Sequence, residues 1–472
     1  MDEIKTNEKP LSKEDEQLGQ NFGFFSLMKF ALPSMFALVF VAVYQLVDGM
    51  FIEKFVGSPE VGEISIAAVN LFYPILSLYV ASGIMLGTGG NAVVVKLLGE
   101  GKKKEADRVF SETIIFSVIV SVVISAICLI FRENIMVWLG ASEINIEYLR
   151  PYYTVLSAAG PVIMLQMVLG VMLIGEGRSV LAAVLLIIGG VLNCVLDWLF
   201  MAVFNWGISG AAIATAIGYA VTILYAFYYY SPIGKSKYKI GFTRIRFKEI
   251  GFICFNGSSE MISNLSGGVT ALFMNHIIFR FQGEIGQSAL SVVLYFQFVI
   301  IAVFMGFTMA VAPVFSYHYG TGNREMRAKV FKLSMIWTAI IGVVLSAVFF
   351  LLRGPVVGLF FTEGTEIYDI TMKGFIFAVP AALFVGFNAF SSALFTAFSN
   401  GGISAFLSVL RTLVILTGML FLLSWLFGEN GMWLSWTVTE VISLVVSVIF
   451  LFAFRKKYGY VKATPHKDRF AT

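Results

Sequence analysis

The chain has 472 residues, of which 58% are hydrophobic and only 13% are charged. Soluble domains run nearer about 45–50% apolar and about 25% charged, so the composition excludes a water-soluble globular protein and indicates an integral membrane one. The formal charge of +4 gives no basis for a nucleic-acid partner; where the charges lie says more than their sum.

The N-terminal stretch Met1–Gln20 mixes Lys with Asp and Glu and lacks the n-region and cleavage site of a signal peptide. Residues 1–24 are therefore expected to be a cytoplasmic tail, with the first span as an uncleaved insertion signal. A helical crossing takes about 20 apolar residues, so the chain has room for about a dozen. Apolar runs broken by charged or Gly/Pro segments predict spans at 29–54, 64–98, 107–131, 149–174, 180–204 and 208–230. A second set is predicted at 250–280, 286–318, 328–352, 369–398, 403–427 and 432–454. The fold class is all-α and membrane-embedded: twelve transmembrane helices in two six-helix halves. The first half is 25–231, a polar linker follows at 232–249, the second half is 250–455, and a tail occupies 456–472.

Basic residues orient these spans. Lys96, Lys102, Lys103, Lys104 and Arg108 follow the second span, and Lys235, Lys237, Lys239, Arg244, Arg246 and Lys248 lie in the linker. Arg324, Arg327, Lys329 and Lys332 follow the eighth span, and Arg455, Lys456 and Lys457 open the tail. The alternate connections, such as SPEVGE and TEGTEIYD, carry acids instead. The positive-inside rule makes the basic set, and with it both termini, cytoplasmic.

The halves are internally repeated. LLGEGKKKEADRVF (97–110) aligns with YHYGTGNREMRAKVF (317–331), pairing Gly99 with Gly320 and Gly101 with Gly322 at an offset of 221. FNWGISGAA (204–212) resembles FGENGMWLS (427–435) at a spacing of about 224. Six spans per half give two parallel repeats facing one another across a central cavity.

Polar residues inside the spans are costly and so informative. Asp48 lies in the first span; Asn193 and Asp197 lie one helical turn apart in the fifth, and Thr215 lies in the sixth. Two carboxylates with an amide and a hydroxyl oxygen make a hard-oxygen set suited to H⁺ or Na⁺. The bland alternative puts Asp48 near the outer interface and pairs Asp197 with backbone or an arginine. Gln166, Glu260, Asn264, Gln297 and Asn388 are candidate cavity residues; the many Met and Phe side chains suit varied apolar cations, although a lipid-facing or packing role is the commoner one for any single Met or Phe. Arg411 needs a partner, and Glu440 or Glu260 is the natural one; a structural Arg411–Glu440 ion pair is expected. Prolines 33, 74, 161, 313 and 380 fall within or beside spans and permit kinks. Cys128, Cys194 and Cys254, and the isolated His276 and His318, form neither a disulfide framework nor a metal-binding spacing. The chain lacks a P-loop and the HExxH, GxSxG and CxxC motifs, so neither an ATP motor, an enzyme nor an organic cofactor is expected.

Several of these segments together resemble the MATE (multidrug and toxin extrusion) family, in its bacterial MepA-like branch. They are ALPSMF (31–36) followed by Asp48, GEGRS (175–179), NCVLD (193–197), the WGISGAAIAT run ending in Thr215, and GTGNREMRAK after the eighth span. The resemblance covers about residues 25–455 and implies two six-helix lobes around a cleft. It also implies export of lipophilic organic cations by H⁺ or Na⁺ antiport, antibiotic resistance, a monomer, and a multi-pass protein of the bacterial inner membrane. One branch of that family holds its cation on first-lobe residues matching Asp48, Asn193, Asp197 and Thr215. Another uses acids of spans seven and ten; span ten here has none, which leaves Glu260 as a candidate for drug binding. The rival readings are a flippase for lipid-linked oligosaccharides or precursors, a membrane transferase, and a channel.

Overall fold

The structure, a computed structural model, describes residues 16–56, 59–141 and 146–461. The tail upstream of residue 16, the start of the SPEVGE connection and the tail beyond residue 461 with His466 lie outside the described residues. Ten helices are long and apolar enough to cross a bilayer, and the bent pair Ile146–Ala158 and Gly160–Gly175 makes an eleventh. The run Phe247–Gly320 breaks at Gly283, with φ 59° and ψ −147°, into two spans, giving twelve among the described residues.

We number them α1 (Phe24–Phe55), α2 (Pro59–Gly99), α3 (Lys103–Ile130), α4 (Ile146–Ala158 with Gly160–Gly175), α5 (Ser179–Val203) and α6 (Ile208–Tyr230). The second half has α7 (247–282), α8 (284–320), α9 (Arg324–Val357), α10 (Glu366–Ala397), α11 (Gly401–Phe427) and α12 (Glu429–Tyr458). Helices prevail because a bilayer offers no water to backbone N–H and C=O groups, and a helix satisfies them within one segment. Large apolar side chains such as Leu224, Leu351 and Trp425 point outward, while serines, threonines and carboxyls lie inside. That distribution suits a hydrocarbon surround.

The repeat is visible in the backbone. Gly101 and Gly322 adopt φ 75° and 73°, and Gly207 and Gly428 adopt φ 57° and 61°, left-handed values that side chains resist. The second pair therefore shares the 221-residue offset of the first, correcting the looser spacing of 224 read from FNWGISGAA. Of the five prolines, Pro161 adjoins the 50° bend in α4 and Pro380 lies in the 3₁₀ turn Val379–Ala381 that interrupts α10. Pro33, Pro74 and Pro313 lie within unbroken helices, where neighbouring spans can re-satisfy the freed carbonyls.

The halves meet where α1 and α2 pack on α7 and α8. Glycine makes the approach possible, because a Cβ on Gly257 would stand 2.0 Å from the Met85 carbonyl oxygen and one on Gly89 2.1 Å from that of Ile253. At the end bearing the basic connections, Gly99 packs on the Tyr317 carbonyl and Gly320 on the Lys96 carbonyl. Gly257→Val is expected to force these backbones apart at about 1–3 kcal/mol, read as a lower apparent melting temperature in detergent. Unchanged melting would mean that the halves do not touch there in solution.

Candidate functional site

Close helix packing builds the polar cluster of the first half. A Cβ on Gly189 would sit 2.6 Å from the Gly218 carbonyl oxygen, so α5 and α6 touch backbone to backbone. Gly190 on the same turn receives the rings of Phe40 and Tyr44 from α1. Three helices thus converge one turn before Asn193. The Asn193 amide, 3% exposed, donates to the Thr215 hydroxyl at 3.3 Å. Asp197, one turn further, is fully buried, and its carboxyl adjoins that of Asp48 from α1. Among the described residues, neither Asp197 oxygen has a hydrogen-bond donor, nor does Oδ1 of Asp48. Two facing carboxylates without donors or a counter-cation need a shared proton or a bound cation. The orphaned oxygens fit either.

Asp197 also marks a change in the helix. The next residues, Trp198–Val203, wind as a π-helix, and span eleven also contains a π segment, Leu410–Ile415, which holds Arg411 but lies at a different register of the repeat. π-Bulges concentrate at functional sites because they rotate side chains out of regular register.

The sequence-derived residues fall into three groups. Asn193 and Thr215 line a cavity of about 240 Å³ between the halves, whereas Asp48 and Asp197 stand outside its lining. Tyr44 and Tyr219, whose hydroxyls lie side by side, form the wall that adjoins Asp48. Gln166 and Asn264 face the same cavity with Met167, Met305, Met309 and Phe298, and among the described residues the lining contains no charged side chain. Glu260 lines a smaller adjoining cavity with Thr88, Asn91 and Thr308, and Met305 and Met309 border both.

Asn388 and Gln297 line neither of these two cavities. The cavity expectation for Asn388 is corrected by its hydrogen bonds: its amide donates to Glu440 Oε2 at 2.7 Å and to the Glu440 carbonyl at 2.9 Å, and Ser447 donates to its oxygen. Glu440 in turn accepts from Arg411 at 2.8 and 3.0 Å, so Asn388 completes an ion-pair cluster in the wall of the second half. Gln297 is half-buried on α8, one residue before the cavity-lining Phe298, and helical geometry turns it about 100° away.

Sequence reasoning missed the two tyrosines and Glu176. The signal for Tyr44 was its place four residues before Asp48, on the same helix face. Glu176, in the turn between α4 and α5, is 1% exposed and accepts from the Ser236 hydroxyl and the Lys237 backbone N–H of the linker.

The MatE family profile matches residues 33–199 and 260–429, and so more than half of the chain. The multidrug export protein MepA of Staphylococcus saprophyticus is 24% identical over 95% of this chain and 99% of its own length. The protein of that name from Staphylococcus haemolyticus is 24% identical over 96% and 99%. Among solved structures, a MATE protein in complex with MaL6 superposes with a TM-score of 0.88 at 23% identity, covering 95% of this chain and 99% of that one. The outward-facing conformation of a multidrug resistance MATE transporter of the MOP superfamily gives 0.87 at 23%, with the same coverage. A MOP superfamily transporter from Pyrococcus furiosus gives 0.84 at 24%, over 97% and 100%.

Proposed function

Because the chain belongs to the MatE family, we propose that it is a secondary multidrug exporter that moves lipophilic organic cations by exposing the central cavity alternately to the two membrane faces. The observation that carries the coupling is the donor-less Asp48–Asp197 pair behind that cavity. Entry of H⁺ or Na⁺ from outside neutralises the pair and alters how α1, α5 and α6 pack. The drug then leaves outward and the inward-facing state is favoured. Loss of the cation inside restores the charge, and a new substrate accompanies the return. A swing from 1:99 to 99:1 between the two states needs about 5.5 kcal/mol of differential binding.

Substrate recognition follows from the lining. Aromatic faces and methionine thioethers adapt to varied shapes and attract cations, while Gln166 and Asn264 supply fixed polar contacts and Glu260 presents a carboxyl in the smaller adjoining cavity. The basic connections support a reading with both termini on the cytoplasmic side, and the family supports a monomer in a bacterial inner membrane. The flippase reading is disfavoured because a pyrophosphate headgroup needs cations, and Arg411 is already held by Glu440.

Ethidium movement in proteoliposomes under separately imposed pH and Na⁺ gradients tests the proposal. One gradient alone is expected to drive export. Indifference to both would remove the antiport reading, and a failure to move ethidium at all would bring lipid-linked substrates forward.

A further inference from the structure

Four helix ends meet at the basic end of the molecule, and their charges do not balance. The close contact of Gly320 with the Lys96 carbonyl sets the end of α2 against the end of α8. Tyr319, beside that contact, has a cation from each half near its ring. The Lys96 ammonium lies 5.4 Å from the ring centroid, and the Arg327 guanidinium of the first turn of α9 also lies 5.4 Å from it. The ring of Tyr458, at the end of α12, stands 5.9 Å from that of Tyr319 and has Lys457 at 5.3 Å. Arg324, three residues before Arg327, packs its stem along Gly459.

Arg327 is the unsatisfied member of this group. It is 5% exposed, and its Nε has no acceptor. Among the described residues, the charged neighbour that acts on it is another cation, Arg324. His318, buried against Leu18 and Arg327, adds no negative charge. Glu100 is held by Lys102 at 2.8 Å and lies 3.8 Å from Lys96, while Glu325 is exposed. A ring face attracts a cation, but by less than the cost of taking one out of water. The guanidinium therefore lacks an anion.

We infer that Arg327 and Lys96 form a binding site for a phosphate group, carried by an anionic phospholipid head group or by free phosphate. The guanidinium fork matches two phosphate oxygens, and the ammonium acts as a point charge on a third. A planar carboxylate has only two oxygens to share between cations that approach from α2 and from α9. Basic pockets between membrane helices, on the side rich in Lys and Arg, are where phospholipid head groups bind. Exposed Arg324 and half-buried Lys96 form the rim by which the group reaches Arg327. Since Lys96 belongs to the first half and Arg327 to the second, one bound phosphate ties the halves together. Ligand that binds the folded chain in this way raises its melting temperature.

The test uses the full chain, stripped of lipid in a maltoside detergent. Its probes are dioleoyl phosphatidylglycerol, dioleoyl phosphatidylcholine and inorganic phosphate. Native mass spectrometry reads bound lipid, and thermal unfolding reads stabilisation. The parent is expected to retain phosphatidylglycerol severalfold better than phosphatidylcholine and to melt higher with it. Arg327→Lys keeps the charge but loses the fork, and is expected to lose that preference. Lys96→Gln is expected to weaken binding severalfold, and its half-buried position keeps the test open should Arg327→Lys fail to fold. Lys103→Gln removes the same charge from an exposed position on this face and is expected to bind as the parent does. Stabilisation by inorganic phosphate alone, lost in Lys96→Gln, would assign the site to free phosphate. Phosphatidylglycerol binding that resists inorganic phosphate and is lost in the same variant would assign it to the lipid. A parent that responds to neither probe, parent-like binding in Lys96→Gln, or an equal loss in Lys103→Gln would overturn the inference.

Discussion

Asp197→Asn is expected to reduce ion-driven ethidium efflux to the level of empty vesicles while leaving ethidium binding within a few-fold of the parent. The two halves of that expectation come from different facts. The amide cannot titrate or supply a carboxylate ligand, so the pair with Asp48 loses its differential cation binding, and with it the energy that biases the two states. Yet Asp197 does not line the cavity; Tyr44 and Tyr219 line the wall beside Asp48. A drug in the cavity therefore meets almost the same surface in both proteins. Fluorescence titration gives the binding constant, and gradient-driven flux in the same vesicles gives the coupling. Full ion-driven efflux from the variant would remove the pair from the mechanism, and binding lost in step with efflux would make it a substrate site.

Glu440→Gln is expected to destabilise the second half by about 3–5 kcal/mol, because it takes the ion-paired carboxylate from the part-buried Arg411 guanidinium and leaves only the more distant Glu260 carboxyl near it. Glu440 is 2% exposed and receives two bonds from Arg411 and two from the Asn388 amide, so no water replaces the lost carboxylate cheaply. The readout is the apparent melting temperature and the yield of folded protein. The double variant Arg411→Met, Glu440→Gln should recover much of the loss, since removing both charges removes the uncompensated one. Efflux per folded molecule should be close to the parent in that double variant. A Glu440→Gln protein that melts normally but no longer transports would move the ion pair from scaffold to mechanism.

What the sequence disclosed follows from what is local. A run of apolar residues reports a span because lipid contact is decided residue by residue, and Asn193 and Asp197 share a face because their spacing is one helical turn. The glycine repeat was visible at Gly101 and Gly322, whose backbone angles now agree to within a few degrees. Long-range pairing was legible only where a buried charge demanded a partner, as Arg411 did of Glu440. Glu176 reads as an ordinary solvated carboxylate in a polar turn, and its partners Ser236 and Lys237 are 60 and 61 residues away. Asn388 shows the same limit from the other side: an amide in a span is equally compatible with a cavity and with a hydrogen-bonded wall, and only the position of Glu440, 52 residues on, decides. The π segments after Asp197 and around Arg411 leave no periodic signature that a short window distinguishes from an α-helix.

The reciprocal contact at the inner end has a consequence for ancestry. Gly99 presses on the carbonyl of Tyr317 and Gly320 on that of Lys96, and each member of one contact lies 221 residues from its counterpart in the other. Such an arrangement is what two identical subunits produce about a twofold axis, where one glycine serves both sides of an isologous interface. A single half-length ancestor pairing with itself would already have possessed this closure. Fusion then released the two copies from identity: one now carries Asp48 and Asp197, and the other Arg411 beside Glu440. On this view the closure is older than the differences between the halves.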